Sequence, residues 1–380
     1  MPQRNTLICT VGTSLFDANL SRPSADRTDA PDNWGAIRRA YNEQNWQALA
    51  SEMLKLSPTE RLCGAEINTI EESRRKNWLS LENLIFLVSD TEKGKNTGKF
   101  LQLYFQQRRD LKLRNLEYQV IDNLQDQHPK DFKRYGLRNL VREIGQYIQR
   151  FGGTDYIAID ATGGYKAQIA IAVIVGQALN IPVFYKHERF SEIIDFPPLP
   201  ISFDYEILAQ NADLLTDFER GKAFSHDELT EVDEKLRVLL TEVLVDGQPV
   251  YELSPIGQIY LTGFRIRNPK SINLVPAVNK TRPSFRDDHY PIDFKDFVEK
   301  VCRENPWIVT ANSLPYDKQK SIKGIGFHVR EEGDAKQRRL IGTYQDKNGF
   351  GARFQIHLTD ESLAAMTWAA DYLNQRYKPY

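Results

Sequence analysis

Residues 162–166, Thr-Gly-Gly-Tyr-Lys, are where residue type and spacing most directly imply chemistry. They follow the apolar run Ala158-Ile159-Asp160-Ala161 and open an apolar helix that carries Lys166 in its first turn. Paired glycines let a backbone approach a ligand closely, a helix start offers free N–H groups and a positive dipole end, and a lysine adds full charge. The combination reads as a phosphate-binding turn. Its spacing is neither that of a Walker loop nor that of a dinucleotide fingerprint, so the expected ligand is phosphorylated but held in another way. A second short loop, Gly12-Thr13-Ser14, ends the apolar run Thr6–Val11. The structural alternatives are plain: Thr13 and Ser14 are also helix-capping types, and Lys166 would serve equally as a solvated first-turn residue.

A second concentration of chemistry lies near the C-terminus. Lys318, Lys320, Lys323, Arg330, Lys336, Arg338, Arg339, Lys347 and Arg353 face only four acids between positions 318 and 353, a cluster suited to holding phosphates. Alternation over 352–358 places Arg353, Gln355 and His357 on one face of a strand and Phe354, Ile356 and Leu358 on the other. Surface strands rich in Lys and Arg are common, so the cluster carries more weight than any one member.

The elements that must position these residues form a regular pattern at first. Short buried runs at Thr6–Val11, Leu84–Val88, Tyr118–Ile121, Tyr156–Ile159 and Pro182–Tyr185 alternate with helical patterns over 98–113, 137–151 and 166–179. Strands alternating with helices predict an α/β fold with a parallel, doubly wound, Rossmann-like sheet, whose ligands sit beyond the carboxyl ends of the strands. Residues 20–78 interrupt the rhythm as a helical insertion bearing Trp34, Ile37, Tyr41, Trp46, Leu49, Met53 and Leu54; its aromatics read as packing. Residues 204–268 read as a small helical or winged connector, with a helix over Asp227–Leu244 and a short strand at Val250–Leu253 entering a helix begun by Pro255. From 269 to 380 a small α+β domain is expected: a strand at Ile272–Val278, a helix at Phe294–Arg303, strands at Gly324–Arg330, Arg339–Tyr344 and Ala352–Leu358, and a helix at Glu361–Tyr377. Turns are expected at Glu332-Gly333-Asp334 and at Asn348-Gly349, the latter a strong hairpin sequence.

Composition bounds the function. The longest apolar runs fall short of 18 residues and the chain enters a strand directly after Met-Pro-Gln-Arg, so a soluble, cytoplasmic protein is expected. Cys9, Cys63 and Cys302 lie far apart without metal-ligand spacing and read as reduced structural thiols; no metal is expected. The net charge of −1 hides an asymmetry: residues 264–380 hold 20 Lys and Arg against 14 Asp and Glu, the rest 30 against 37. A basic C-terminal part on an acidic body points to a polyanionic partner. The acids Asp227, Glu228, Glu231, Asp233 and Glu234 make the winged segment a connector rather than a DNA reader.

Taken together, Val11-Gly12-Thr13-Ser14-Leu15 and Asp160-Ala161-Thr162-Gly163-Gly164-Tyr165-Lys166 resemble the CARF domains of CRISPR-associated proteins, over roughly residues 1–203. The resemblance implies a homodimer that binds cyclic oligoadenylate across its two-fold axis, with tetra-adenylate the favoured ring. Gly12, Thr13, Ser14, Thr162, Gly163, Gly164 and Lys166 would be the binding residues. Ser14 with Lys166 is also the pair by which some relatives cleave the ring. The insertion departs from the pattern and leaves the lid over the ligand undefined. Residues 270–380 are similar in topology to the RelE group of messenger-RNA ribonucleases. That likeness implies metal-independent, ribosome-dependent RNA cleavage through 2′-hydroxyl attack, with Arg339, Arg353, His357, Lys323 and Tyr344 as catalytic candidates and His328 behind them. Lys318, Lys320, Arg330, Lys336 and Arg338 would hold RNA. The pattern of HEPN ribonucleases, Arg, four to six residues, then His on a helix, is not found in convincing form, and Glu332-Gly333-Asp334-Ala335-Lys336 is too displaced for a restriction-type Mg²⁺ site. Two other readings stay open: a ligand-responsive transcription regulator with a winged-helix reader, and a stand-alone ring nuclease.

Overall fold

The computed structural model describes residues 4–21, 30–186, 192–200, 206–229, 232, 234–267, 274–286, 289–315, 322, 324–332 and 337–379. The chain divides into two compact units, Met1–Ser202 with Gln258–Ile266, and Phe203–Gly257 with Arg267–Tyr380. Among the described residues no helix is long and apolar enough to cross a membrane.

The first unit is built on a six-stranded sheet: β1 (Thr6–Thr10), β2 (Asn83–Ser89), β3 (Asn115–Ile121), β4 (Ile157–Asp160), β5 (Val183–Tyr185) and β6 (Ile194–Phe196). Their order is β3-β2-β1-β4-β5-β6, and all neighbours run parallel except β5 and β6. The five strands expected from the sequence are all present, in the Rossmann-like arrangement. β1 and β2 are buried along their whole length, which is why they read as continuous apolar runs rather than alternating ones. Strand order reverses between β1 and β4, so the loops leaving these two neighbours flank a crevice at the carboxyl edge of the sheet.

The insertion folds as the helices Trp34–Asn42, Trp46–Met53 and Ala65–Arg75. Their Trp34, Ile37, Trp46, Leu49, Met53, Ile67 and Ile70 join Leu7, Cys9, Phe86 and Val88 of the sheet in one core. Phe16, just after β1, stacks on Trp46 with ring centroids 5.0 Å apart and meets Tyr41 edge-on at 5.4 Å. The insertion's aromatics therefore pack, as expected. The helix Lys166–Leu179 lies where the sequence places it, but the one expected over 98–113 runs from Glu92 to Gln106.

In the second unit the helix expected over Asp227–Leu244 is not formed. A 3-10 turn at Asp227–Leu229 and a short helix at Glu234–Arg237 give way to β8 (Leu240–Val245), which pairs with β9 (Gln248–Leu253) through a hairpin at Asp246-Gly247. With β7 (Phe224–Ser225) they make a sheet of order β7-β9-β8, and β9 leads as expected into the Pro-started helix Pro255–Arg267, whose Gln258–Ile266 belong to the first unit. The larger sheet holds β10 (Ile308–Ser313), β11 (Gly326–Glu332), β12 (Gln337–Gln345) and β13 (Gly351–Leu358), in the antiparallel order β10-β13-β12-β11. The helices Phe294–Glu304 and Leu363–Tyr377 contribute Phe294, Val298, Val301, Met366, Ala369 and Leu373 to its core. β10 was not foreseen, and the strand expected at Ile272–Val278 is absent from its described part, 274–278. Gly349 adopts φ +81 in the hairpin between β12 and β13, a left-handed conformation glycine reaches without strain. Of the other expected turn, Gly333 and Asp334 lie outside the described residues, while Glu332 pairs with Gln337.

The edge strand β11 is not left open. The Asn374 side chain accepts a hydrogen bond from Phe327 N at 2.9 Å and donates one to Phe327 O at 2.7 Å, completing the backbone of a buried residue. Buried peptide groups need such partners, because leaving one unpaired costs about 1–3 kcal/mol.

Candidate functional site

At the reversal of strand order the loops after β1 and β4 are fastened together. The Thr10 hydroxyl donates to Gly163 O at 2.6 Å, and Gly163 N donates to Thr10 O at 3.3 Å. A Cβ on Gly12 would lie 2.8 Å from Gly164 N, and one on Gly163 would lie 2.2 Å from Glu66 Oε1 and 2.5 Å from Gly12 N. Glycine is required at both positions by this closeness. A third element enters here: Glu66, on the insertion helix Ala65–Arg75, is buried and accepts a hydrogen bond from Gly12 N at 3.0 Å.

Beneath the loops lies Asp160, fully buried at the end of β4. Burial pushes its carboxyl up to about 8 against the opposing pull of the Thr162 hydroxyl and with the added push of Glu66. Asp160 is thus held in its neutral form near pH 7, which spares the phosphate-side loops a negative charge. Burial also raises the neighbouring Cys9 thiol well above its ordinary value.

Two cavities open on this edge. One, of about 390 Å³, is lined by Val11, Gly12, Thr13, Ser14, Ser89, Asp126, Thr162, Gly163, Gly164 and Tyr165. The other, of about 450 Å³, is lined by Ser14, Ala65, Ala161, Thr162, Ile169, Val173, Tyr185, Lys186 and Phe196. Tyr185 and Phe196 stack there with centroids 5.9 Å apart. Six of the seven residues expected to bind ligand line the first cavity; Lys166 is exposed and lines neither.

The donors those residues offer are already partly committed. The Thr13 hydroxyl donates to Asp17 Oδ2 at 2.8 Å. The Thr162 hydroxyl donates to Asp160, lies 3.1 Å from the Thr69 hydroxyl and accepts from Lys186 N at 3.0 Å. Ser14 lines both cavities and, although it precedes the helical turn Leu15–Leu20, its side chain caps nothing. The second cavity is lined by a cation, Lys186, ion-paired with Glu72. Sequence reasoning missed Glu66, Asp126, Tyr165 and Lys186. The strand order 3-2-1-4 would have pointed to Asp126, because the loop after β3 shares the carboxyl edge.

In the second unit, strand register decides which basic residues share a face. Arg330 pairs with Arg339, Thr343 with Arg353, Thr310 with His357 and Asn312 with Gln355, and opposite residues in an antiparallel pair point the same way. Arg330, Arg339, Arg353 and His357 therefore lie on one face, and Phe327, Val329, Leu340, Phe354 and Ile356 on the other. Tyr344 is not with them: it pairs with Ala352 on the core side, its hydroxyl donates to Ile292 O at 2.9 Å, and its ring is 4.9 Å from Phe297. Burial raises its phenol further. His328 shares the polar side but is buried, with Nδ1 3.6 Å from Asp213 Oδ2. Arg338 is exposed and engages Glu206 at 2.8 Å and Glu331 at 3.3 Å. Lys318, Lys320, Lys323 and Lys336 lie outside the described residues.

His357 sits in a chain of bonds. Its Nδ1 is 3.1 Å from Glu361 Oε1, its Nε2 is 3.1 Å from Asn312 Nδ2, and Asn312 Oδ1 accepts from the Ser284 hydroxyl at 2.7 Å. Asn312 can only donate to Nε2 through its amide, so this pattern fits the neutral imidazole with its proton on Nδ1. An oriented histidine beside guanidinium groups is an arrangement that can bind a phosphodiester and move a proton.

Residues 61–199 match the family described as CRISPR-associated protein (Cas_APE2256). The matched span holds Glu66, Asp126, Lys186 and the Thr162–Lys166 loop; it omits β1, the Gly12–Ser14 loop and the basic sheet. No curated protein matches the chain. Among solved structures, Can2 from Sulfobacillus thermosulfidooxidans in complex with cyclic tetra-adenylate aligns at a TM-score of 0.25 and 10% identity, over 69% of this chain and 62% of that one. The chain thus spans less than two thirds of that protein's length. Over residues 61–199 this chain is similar to a family of CRISPR-associated proteins.

Proposed function

We propose that this protein is a type III CRISPR ancillary effector, in which cyclic oligoadenylate at the first unit activates metal-independent cleavage of messenger RNA by the second. The observation that carries the reading is the fastened pair of loops at the strand-order reversal, opening onto two cavities, in a unit whose residues 61–199 resemble a CRISPR-associated family. Gly12 and Gly163 let the two loops close against each other and against Glu66 at the cavity wall, and the neutral Asp160 removes a charge that would oppose an anion there. A ring with rotational symmetry needs donors repeated by symmetry, which a homodimer supplies by duplicating the loops.

On the basic face, Arg353 and Arg339 would hold the phosphodiester while the RNA's own 2′-oxygen attacks phosphorus. The P–O5′ bond breaks, leaving a 2′,3′-cyclic phosphate and a 5′-hydroxyl. His357 Nε2, on release of its hydrogen bond from Asn312, takes the 2′-hydroxyl proton and returns one to the departing 5′-oxygen. Ribosomes would present the RNA in the required geometry. The free Ser14 side chain in both cavities favours a second activity, slow degradation of the ring itself, which would time the response. Lys166, exposed at the start of its helix next to the cavity-lining Tyr165, would supply the charge for that step.

Incubation with cyclic tri-, tetra- and hexa-adenylate, measuring direct binding and ring degradation, tests the first half. Tight binding of the tetra-adenylate with weaker binding of the other two is the expected result; no binding of any ring would refute it.

A further inference from the structure

Asp126 follows β3 and is exposed at the carboxyl edge, where it lines the 390 Å³ cavity together with Thr13, Ser14, Gly163 and Gly164. It does not stand alone. Tyr165 lines the same cavity, and burial together with the charge of the neighbouring Asp126 raises its phenol. Phe132 braces the Tyr165 ring edge-on at 5.2 Å. A carboxylate thus lines a cavity whose other walls are mostly glycine backbone and hydroxyls.

Such a group repels a polyanionic ligand unless the ligand gives it a hydrogen bond, because an ionised carboxylate only accepts. A cyclic oligoadenylate carries two kinds of donor, the adenine 6-amino group and the ribose 2′-hydroxyl. The hydroxyl neighbours the 3′-phosphate on the same sugar, whereas the amino group lies at the far edge of the base. Asp126 shares its cavity with the loops suited to phosphate, so the donor within its reach is the one beside the phosphate.

We propose that Asp126, which lines the cavity beside Tyr165 and the two glycine loops, is the acceptor that reads the ribose 2′-hydroxyl of the bound ring and makes the site selective for ribo- over 2′-deoxy-oligonucleotide rings. This rests on the reading of the site as a cyclic oligoadenylate receptor. It assigns a specificity role to a residue outside both glycine loops, and it gives a physical reason for an acid in a phosphate site.

The test is a double-mutant cycle on the full chain, with cyclic tetra-adenylate and its all-2′-deoxy counterpart as probes. The wild type should bind the ribo ring about tenfold or more tightly than the deoxy ring, since a site built to bond a hydroxyl rejects the analogue lacking it. In Asp126→Ala that ratio should fall to within about twofold, because binding of the deoxy ring stays level or improves while binding of the ribo ring weakens. Equal affinities in the wild type, or an unchanged ratio in Asp126→Ala, would overturn the assignment. A ring of purine riboside, lacking the amino group but keeping the hydroxyl, separates the two donors; if its loss of affinity is what Asp126→Ala abolishes, the base is being read and the proposal fails. Wild-type protein that binds neither adenylate ring would refute the receptor reading itself, a result distinct from binding both alike.

Discussion

At the scale of single residues, function here depends on what each side chain is already bonded to. Gly12 N is held by Glu66 and the Thr162 hydroxyl by Asp160, so a ligand must displace or share these bonds. Gly163→Ala would drive a methyl group into Glu66 and the Gly12 backbone, and should cost about 1–3 kcal/mol of stability and abolish ring binding, measured by denaturant unfolding and calorimetry. Asp160 supplies a pH test. Its folded-state pKa lies far above that of an unfolded aspartate, so the native state holds a proton the unfolded chain has lost between about pH 4 and about pH 8. Stability from this group is fully present below the lower limit and declines as pH rises through the window, by up to about 1.4 kcal/mol per pH unit. Unfolding midpoints at pH 5, 6, 7 and 8 should therefore fall more steeply for the wild type than for Asp160→Asn; parallel profiles would contradict the assignment. On the basic face, His357→Ala should lower RNA cleavage by about 100-fold or more with ring binding intact, whereas Tyr344→Phe should leave cleavage within about twofold. The tyrosine points into the core, and that difference between neighbouring strand positions is decided by register alone.

At the scale of elements, the edge strand β11 depends on one side chain. Asn374→Ala removes both of its bonds to Phe327 and should destabilise the second unit by about 2 kcal/mol or more, seen as a lowered unfolding midpoint. Much of the fold was legible because β1, β2 and β4 are buried throughout and apolar between their ends, and the helix Lys166–Leu179 is bounded by glycines and Asn180. Elements whose signal is mixed were not. The helix Glu92–Gln106 opens on the polar stretch 92–99; Thr91 caps it through Gly94 N, and Gly98 is tolerated because a Cβ there would lie 2.8 Å from the Tyr118 ring. Leu229, Leu236, Leu240 and Val243 fit helical spacing, yet Asp246-Gly247, both at positive φ, is a hairpin turn that fixes β8 against β9. β10 ends in Asn312 and Ser313, residues that resemble a loop until their bonds to Ser284 and Tyr290 are seen. The candidate site was legible in its two loops. Its other walls, Glu66, Asp126 and Lys186, come from distant segments that only the strand order brings to one edge.

At the scale of the whole molecule, the account joins a receptor unit and an effector unit in one chain. Activation then requires that the ring bind more tightly to the cleaving conformation than to the idle one. Two copies should share one ring, so sedimentation should give twice the 43.9 kDa chain mass and titration one ring per two chains; one ring per monomer would contradict the symmetry argument. The central claim is that ring binding licenses RNA cleavage, and it is tested most directly by following messenger RNA in a translation extract, with naked RNA in parallel. Added cyclic tetra-adenylate should raise cleavage by the purified protein, and more so on ribosomes than on naked RNA. Equal cutting with and without the ring would contradict the account.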